Sequence, residues 1–205
     1  MPCSTLHIIM NVWSTSIFSL AYCYHYRTHP IPAHVQVLCC LGFLATGNFQ
    51  TVTADRSGIS QPSLSHILTP ILNGIIRLAP TYIRFSYTPQ EQLTIKQDFH
   101  AIAGFPNTIG AIDCTHIRIK APSPEPYPYF NRKGFHSINV QIICDANMNI
   151  LNAVTRWPGG SHDAFILQNS SVGMRLEQEA AGDAWLIGEL FNSYKASNPI
   201  SYDLI

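Results

Sequence analysis

What most limits the folds open to this chain is a change of hydrophobic period near residue 105: apolar residues recur at helical spacing before it and alternate after it. Helices first, then strands with a further helix among them, predict an α/β architecture in which a small all-helical part precedes a mixed sheet. On the helical side, AHVQVLCCLGFLATG places Val35, Leu38, Cys39 and Phe43 on one face and Val37, Leu41 and Leu44 on another. It reads as a helix buried on most sides and stopped at Gly47. Asn48 is placed to cap a short second helix, and Ser60 a third that carries Leu64, Ile67, Leu68 and Ile71 until Pro70 ends or kinks it. Three such helices have the outline of a helix-turn-helix, but the third offers Gln61, Ser63, Ser65 and His66 and no Arg or Lys for phosphate or guanine. The plainer reading is a helical subdomain beside a larger one. Thr88-Pro89-Gln90-Glu91 is a capping box with Pro at the first helical position, and it opens a helix that Gly104 terminates.

Beyond the boundary, Ile109–Lys120, Phe135–Asp145 and Ile150–Trp157 read as three strands, with a proline-rich extended loop between the first two. Ser161 is placed to cap a helix through Phe165, Ile166 and Leu167, and the apolar run Ala184–Gly188 follows as a fourth strand covered on both faces. The order β-β-β-α-β predicts an antiparallel meander followed by a right-handed crossover to a parallel strand. The domain reading is an unassigned leader over 1–28, a helical, helix-turn-helix-like region over 29–104 and a sheet domain over 105–205.

Charge and cysteine usage narrow the function. Lys+Arg and Asp+Glu both number 12, so no global positive field drives free-standing nucleic-acid binding, and any DNA contact is local or shared with a partner. The six cysteines form no C-x-x-C pair, which disfavours a zinc knuckle or disulfide scaffold and favours a reducing setting. The apolar stretch Ile8–Tyr24 is interrupted by Asn11, Ser14, Thr15 and Ser16 and lacks a basic flank, so no membrane span is expected.

Several residues stand out chemically. Asp113 puts a carboxylate in the middle of an otherwise apolar strand. Asp163 follows Gly159-Gly160-Ser161-His162 in the first turn of a helix, where the macrodipole favours an anion. Glu189 ends the fourth strand, at the sheet edge where α/β ligand sites form. Arg132, Lys133 and His136 make the densest basic cluster. In this topology the middle of strand one, the end of strand four and the start of the intervening helix are neighbours. Carboxylates converging there would bind hard divalent cations, and Arg132 with Lys133 would hold a phosphate backbone. A zinc hydrolase built from His116 and His162 with the aspartates is the weaker alternative, its spacing matching no zinc motif.

The blocks GFPNTIGAIDCTHIRIKAP, YFNRKGFHSINVQIICD, RWPGGSHDAFILQNS and WLIGE, in that order, resemble the Harbinger (PIF/Harbinger) transposase-derived nucleases of the DDE superfamily, including their domesticated vertebrate members. The helical segment LCCLGFLATGNFQTVTADRSGISQPSLSHIL resembles the family's region ahead of its catalytic domain. The resemblance implies a ribonuclease-H-like core, a divalent metal cofactor (Mg²⁺ or Mn²⁺) and cleavage of DNA phosphodiester bonds. It also implies a Myb-like DNA-binding partner, a nuclear site of action with a cytoplasmic pool, and room for a homo-oligomer. Family acidic positions fall on Asp113, Asp163 and Glu189, the last replacing the usual Asp. The chain departs from the family after Glu189 and stops at Ile205, before the fifth strand and the helix that should carry a last catalytic Glu. The expectation is a nuclease by ancestry with impaired activity, and the alternative is a catalytically inactive DNA- or partner-binding module.

Overall fold

The architecture is that of a computed structural model, which describes residues 31–123, 125–178, 184–188 and 194–195. The backbone divides into two compact units between Tyr82 and Ile83. The first contains α1 (Ala33–Thr46), α2 (Gln50–Arg56) and α3 (Gln61–Tyr82). Helix α1 stops where Gly47 turns left-handed at φ 60° and its N–H bonds the Phe43 carbonyl, a conformation glycine adopts without strain. Ser60 caps α3 by accepting from the Ser63 N–H at 3.3 Å. Asn48 does not cap α2: Phe49 occupies the cap position and makes no side-chain bond there. Nor does Pro70 end α3. The helix continues to Tyr82 because Leu64, Ile67, Leu68, Ile71 and Gly74 form one buried stripe on both sides of the proline. Cys39, Cys40 and Ala54 complete this core.

The second unit begins ahead of the change of period, because α4 (Pro89–Ala103) packs on the sheet through Ile95, with Phe85 beside it. Its capping box forms as its spacing predicts: Thr88 Oγ1 accepts from the Glu91 N–H and donates to Glu91 Oε2 at 2.8 Å. The sheet holds β1 (Thr108–Arg118), β2 (Ser137–Cys144), β3 (Ile150–Pro158) and β4 (Trp185–Ile187). The order is β3-β2-β1-β4, with β4 parallel to β1 and the other pairs antiparallel. A two-residue fifth strand, β5 (Tyr194–Lys195), pairs antiparallel with β4, so the sheet goes one short strand beyond the sequence expectation. This mixed sheet behind a helical region is a ribonuclease-H-like α/β fold.

Between β3 and β4 lie α5 (Asp163–Gln168) and α6 (Ser171–Glu177) rather than one helix. His162, not Ser161, occupies the α5 cap, and Ser170 starts α6 by accepting from the Gly173 N–H at 2.9 Å. Gly173 has room for no side chain, since a Cβ there would run into the Leu167 carbonyl. The core lies on the helix-covered face: Ile109, Ile112, Ile143 and Leu186 from the sheet meet Leu167, Val172 and Leu176.

Candidate active site

Strand β1 carries the site. Its residues alternate between faces: Ile112, Cys114 and His116 face the helices, and Ala111, Asp113 and Thr115 face away. Asp113 is exposed, and its Oδ1 accepts from the next residue's N–H at 2.7 Å. It borders an open concavity of about 520 Å³ with Ala111, Thr115, Ile142, Ile187 and Gly188. On its other edge β1 pairs with β4 only as far as Ala111 opposite Ile187. From Ile112 onward that edge has no strand partner among the described residues. Gly188 fits against it because it has no Cβ, which would collide with the Ile112 carbonyl.

Asp163 reaches the same part of β1 from the covered face. Its Oδ1 accepts from Asn139 Nδ2 at 2.7 Å, and its backbone carbonyl accepts from Gln141 Nε2 at 3.2 Å. The Cys114 thiol lies between the two aspartates. Its pKa is pushed up to about 12, mainly by burial, with further upward contributions from Asp163 and Asp113. The two carboxylates flank β1 from opposite faces, Asp113 on the open face and Asp163 on the covered one, beside the edge that is unpaired among the described residues. Among the described residues, neither carboxylate is paired with a lysine or arginine.

The polar scaffold under Asp163 goes beyond what the alternation suggests. On β2, Asn139 and Gln141 are each only 1% exposed and Ser137 is fully buried, whereas Ile138, Ile142 and Cys144 are half-buried on the other face. The signal lies in residue type: neutral amides and a hydroxyl, which can be buried once hydrogen-bonded, where a solvated face would carry charges. Asn139 Nδ2 also donates to the Ser161 carbonyl at 3.0 Å, tying the loop before α5 to the sheet. His116 Nδ1 lies 3.1 Å from Ser137 Oγ, which also accepts from Asn131 Nδ2 at 2.8 Å.

The basic loop is built around Asn131. Its buried side chain accepts from the Lys133 and Phe135 N–H groups at 2.9 and 3.3 Å, and Gly134 turns left-handed at φ 82°. Arg132 and Lys133 are held outward and exposed. His136 is half-buried, bridged to Phe130 and packed edge-on against its ring at 5.3 Å.

Glu189 lies outside the described residues; in sequence it follows Gly188, which borders the concavity with Asp113. The zinc alternative does not assemble, because no three His, Cys, Asp or Glu side chains gather among the described residues. No helix among them is long and apolar enough to cross a membrane, and the stretch Ile8–Tyr24 lies outside them.

Comparison with known proteins places relatives beside this chain. The DDE superfamily endonuclease family matches residues 112–197, which include Asp113, Asp163 and Glu189. The rat and human proteins named "Putative nuclease HARBI1" are each 37% identical to the chain over 163 residues, 80% of this chain and 47% of the relative. "Protein ALP1-like" of Arabidopsis thaliana is 28% identical over 69% of the chain and 35% of its own length. The chain thus spans about half the length of the curated nucleases it matches. No solved structure matches it significantly. With the ordered blocks, the ribonuclease-H-like sheet and these relatives together, the chain carries a DDE superfamily endonuclease region and is similar to the Harbinger transposase-derived nucleases.

Proposed function

We propose that this chain carries the catalytic centre of a metal-dependent DNA endonuclease in which Asp113, Asp163 and Glu189 hold divalent cations. The observation that carries this reading is the flanking of β1's edge, unpaired among the described residues, by two carboxylates that no described lysine or arginine neutralises. All-oxygen donors suit Mg²⁺ or Mn²⁺ better than zinc; the third donor, Glu189, lies outside the described residues, among which no three His, Cys, Asp or Glu side chains gather. When bound, such ions stabilise charge on the attacking and leaving oxygens of a phosphodiester. The chain's own residues supply placement. Asn139 fixes the rotamer of Asp163, the Asp113 carboxylate faces the open concavity, and Arg132, Lys133 and His136 offer a local anchor for the DNA backbone.

Balanced charge, 12 basic against 12 acidic side chains, favours a division of labour in which a Myb-like partner supplies most of the DNA affinity. Action in the nucleus with a cytoplasmic pool, and self-association, belong to the same reading and rest on the family resemblance. The second reading, a binding module without catalysis, is favoured by the lack of any three clustered His, Cys, Asp or Glu side chains among the described residues. Plasmid nicking by the 205-residue chain with Mn²⁺ or Mg²⁺, beside Asp113→Asn and a circular-dichroism control, decides between them. Weak nicking, lost in the variant, is the expected result; a folded chain inert with either ion would establish the binding module instead.

A further inference from the structure

About 17 Å along β1 from Asp113, at roughly 3.4 Å per residue, the strand ends in a surface the catalytic reading does not use. Segment 118–136 carries Arg118, Lys120, Arg132 and Lys133 against a single carboxylate, Glu125, in a chain whose charges balance overall. All four cations are exposed. The Arg118 guanidinium lies 4.4 Å over the Phe135 ring. Between the cations stand two aromatic rings that the fold leaves in water: Tyr127 is 88% exposed and Phe130 is 52% exposed.

Tyr127 is held firmly despite its exposure. It starts a 3₁₀ turn, Tyr127–Tyr129, between Pro126 and Pro128, and the Phe130 N–H closes the turn on the Tyr127 carbonyl at 3.1 Å. The Gly160 N–H fastens the turn to the end of β3 by bonding the Pro128 carbonyl at 2.8 Å. Gly159 permits this approach, since a Cβ there would meet Ser137 Oγ and lie 2.8 Å from the Tyr129 carbonyl. A backbone fixed in place before a ligand arrives leaves only the ring's own rotation to be lost on binding.

We infer that this surface holds single-stranded nucleic acid, an unpaired stretch continuous with the DNA at the catalytic centre, with bases stacked on Tyr127 and Phe130 and phosphates on the four cations. The inference rests on the reading of Arg132 and Lys133 as backbone contacts and deepens it by naming the strand state. A duplex hides the faces of its bases, so exposed flat rings gain little from it, whereas each base stacked on an aromatic side chain contributes about 1–3 kcal/mol in single-strand binders. Four cations against one carboxylate disfavour an ordinary protein partner.

Fluorescence anisotropy on the full chain, without divalent metal, tests this with an oligo-dT strand, a blunt duplex of equal length and a strand of the same length lacking bases. The dT strand is expected to bind at least about tenfold more tightly than either other probe. Tyr127→Ala is expected to lose about tenfold on dT and leave the duplex unchanged, with Tyr127→Phe restoring the wild-type value. Equal affinity for all three probes, with Tyr127→Ala silent but Arg132→Ala/Lys133→Ala weakening every probe, would overturn the stacking site and leave the backbone reading intact. Indifference to both kinds of variant would overturn the two together. Preference for polyglutamate over every nucleic-acid probe would make this an acidic-protein surface and also overturn the inference.

Discussion

Asp113 and Asn139 separate catalytic from structural roles at the level of single side chains. Asp113 is exposed and, among the described residues, bonds only its neighbour's N–H, so Asp113→Asn should leave the melting temperature within about 2 °C of wild type while removing metal-dependent nicking. Asn139 is buried and ties both Asp163 and the Ser161 carbonyl to β2. Asn139→Ala is therefore expected to cost about 1–3 kcal/mol in urea unfolding and to reduce nicking as well, because Asp163 loses the bond that orients it. An Asn139→Ala protein as stable as wild type would show that the amide network carries no weight. Cys40 supplies a pH-dependent case in the helical unit. Burial, then neighbouring Cys39, raises its pKa above the ordinary 9.0, so the folded thiol keeps its proton where the unfolded one releases it. The stability this confers is complete below pH 9 and is lost as pH rises through the folded value. Urea melts at pH 8 and 10 should show wild type losing more stability than Cys40→Ala, and equal losses would refute the assignment.

Elements were legible in the sequence where backbone chemistry is local and illegible where a distant contact decides. The Thr88–Glu91 capping box, the Gly47 stop and the Ser60 cap each rest on residues within four positions, and each forms as read. Asn48 and Ser161 have the right chemistry for caps but are displaced by one residue, Asn48 by Phe49 and Ser161 by His162. The backbone carbonyl of Ser161 is instead engaged from β2 by Asn139, which no local pattern announces. The burial of Ser137, Asn139 and Gln141 was likewise hidden, because period 2 gives the alternation of a strand but not which face is covered. Gly159-Gly160 follows the third strand in sequence, and its structural use is to let the end of β3 approach the Tyr127–Tyr129 turn. Gly159→Ala forces a Cβ against Ser137 Oγ and two backbone oxygens. A loss of about 2–3 kcal/mol is expected, with hydrogen exchange accelerated around residues 127–136 as the turn is pushed off. Unchanged protection there would show that the turn does not depend on this close approach.

Across the whole molecule, the two hydrophobic cores share no residue: Leu64 and Ile71 belong to one, Ile143 and Leu186 to the other. Each core closes within its own unit, so neither needs the other's apolar side chains to be buried. The change of period near residue 105 marked where helix gives way to strand, but the packing boundary falls earlier because α4 gives Ile95 to the sheet. Amphipathic spacing shows that a helix has a buried face and cannot say which unit buries it. Separate cores predict separable stability. Leu64→Ala should lower hydrogen-exchange protection across Ala33–Tyr82 by the equivalent of about 2–5 kcal/mol and leave β1 and β2 unaffected. Ile143→Ala, removing a fully buried side chain between β1 and the helices, should do the reverse. If either substitution lowered protection equally in both units, the chain would be unfolding as one cooperative body, and damage to the helical unit would then abolish nicking as surely as damage to the sheet. Independent response would instead leave the carboxylates on β1 and α5 in place when the helices open, so that Leu64→Ala retains whatever metal-dependent activity the wild type has.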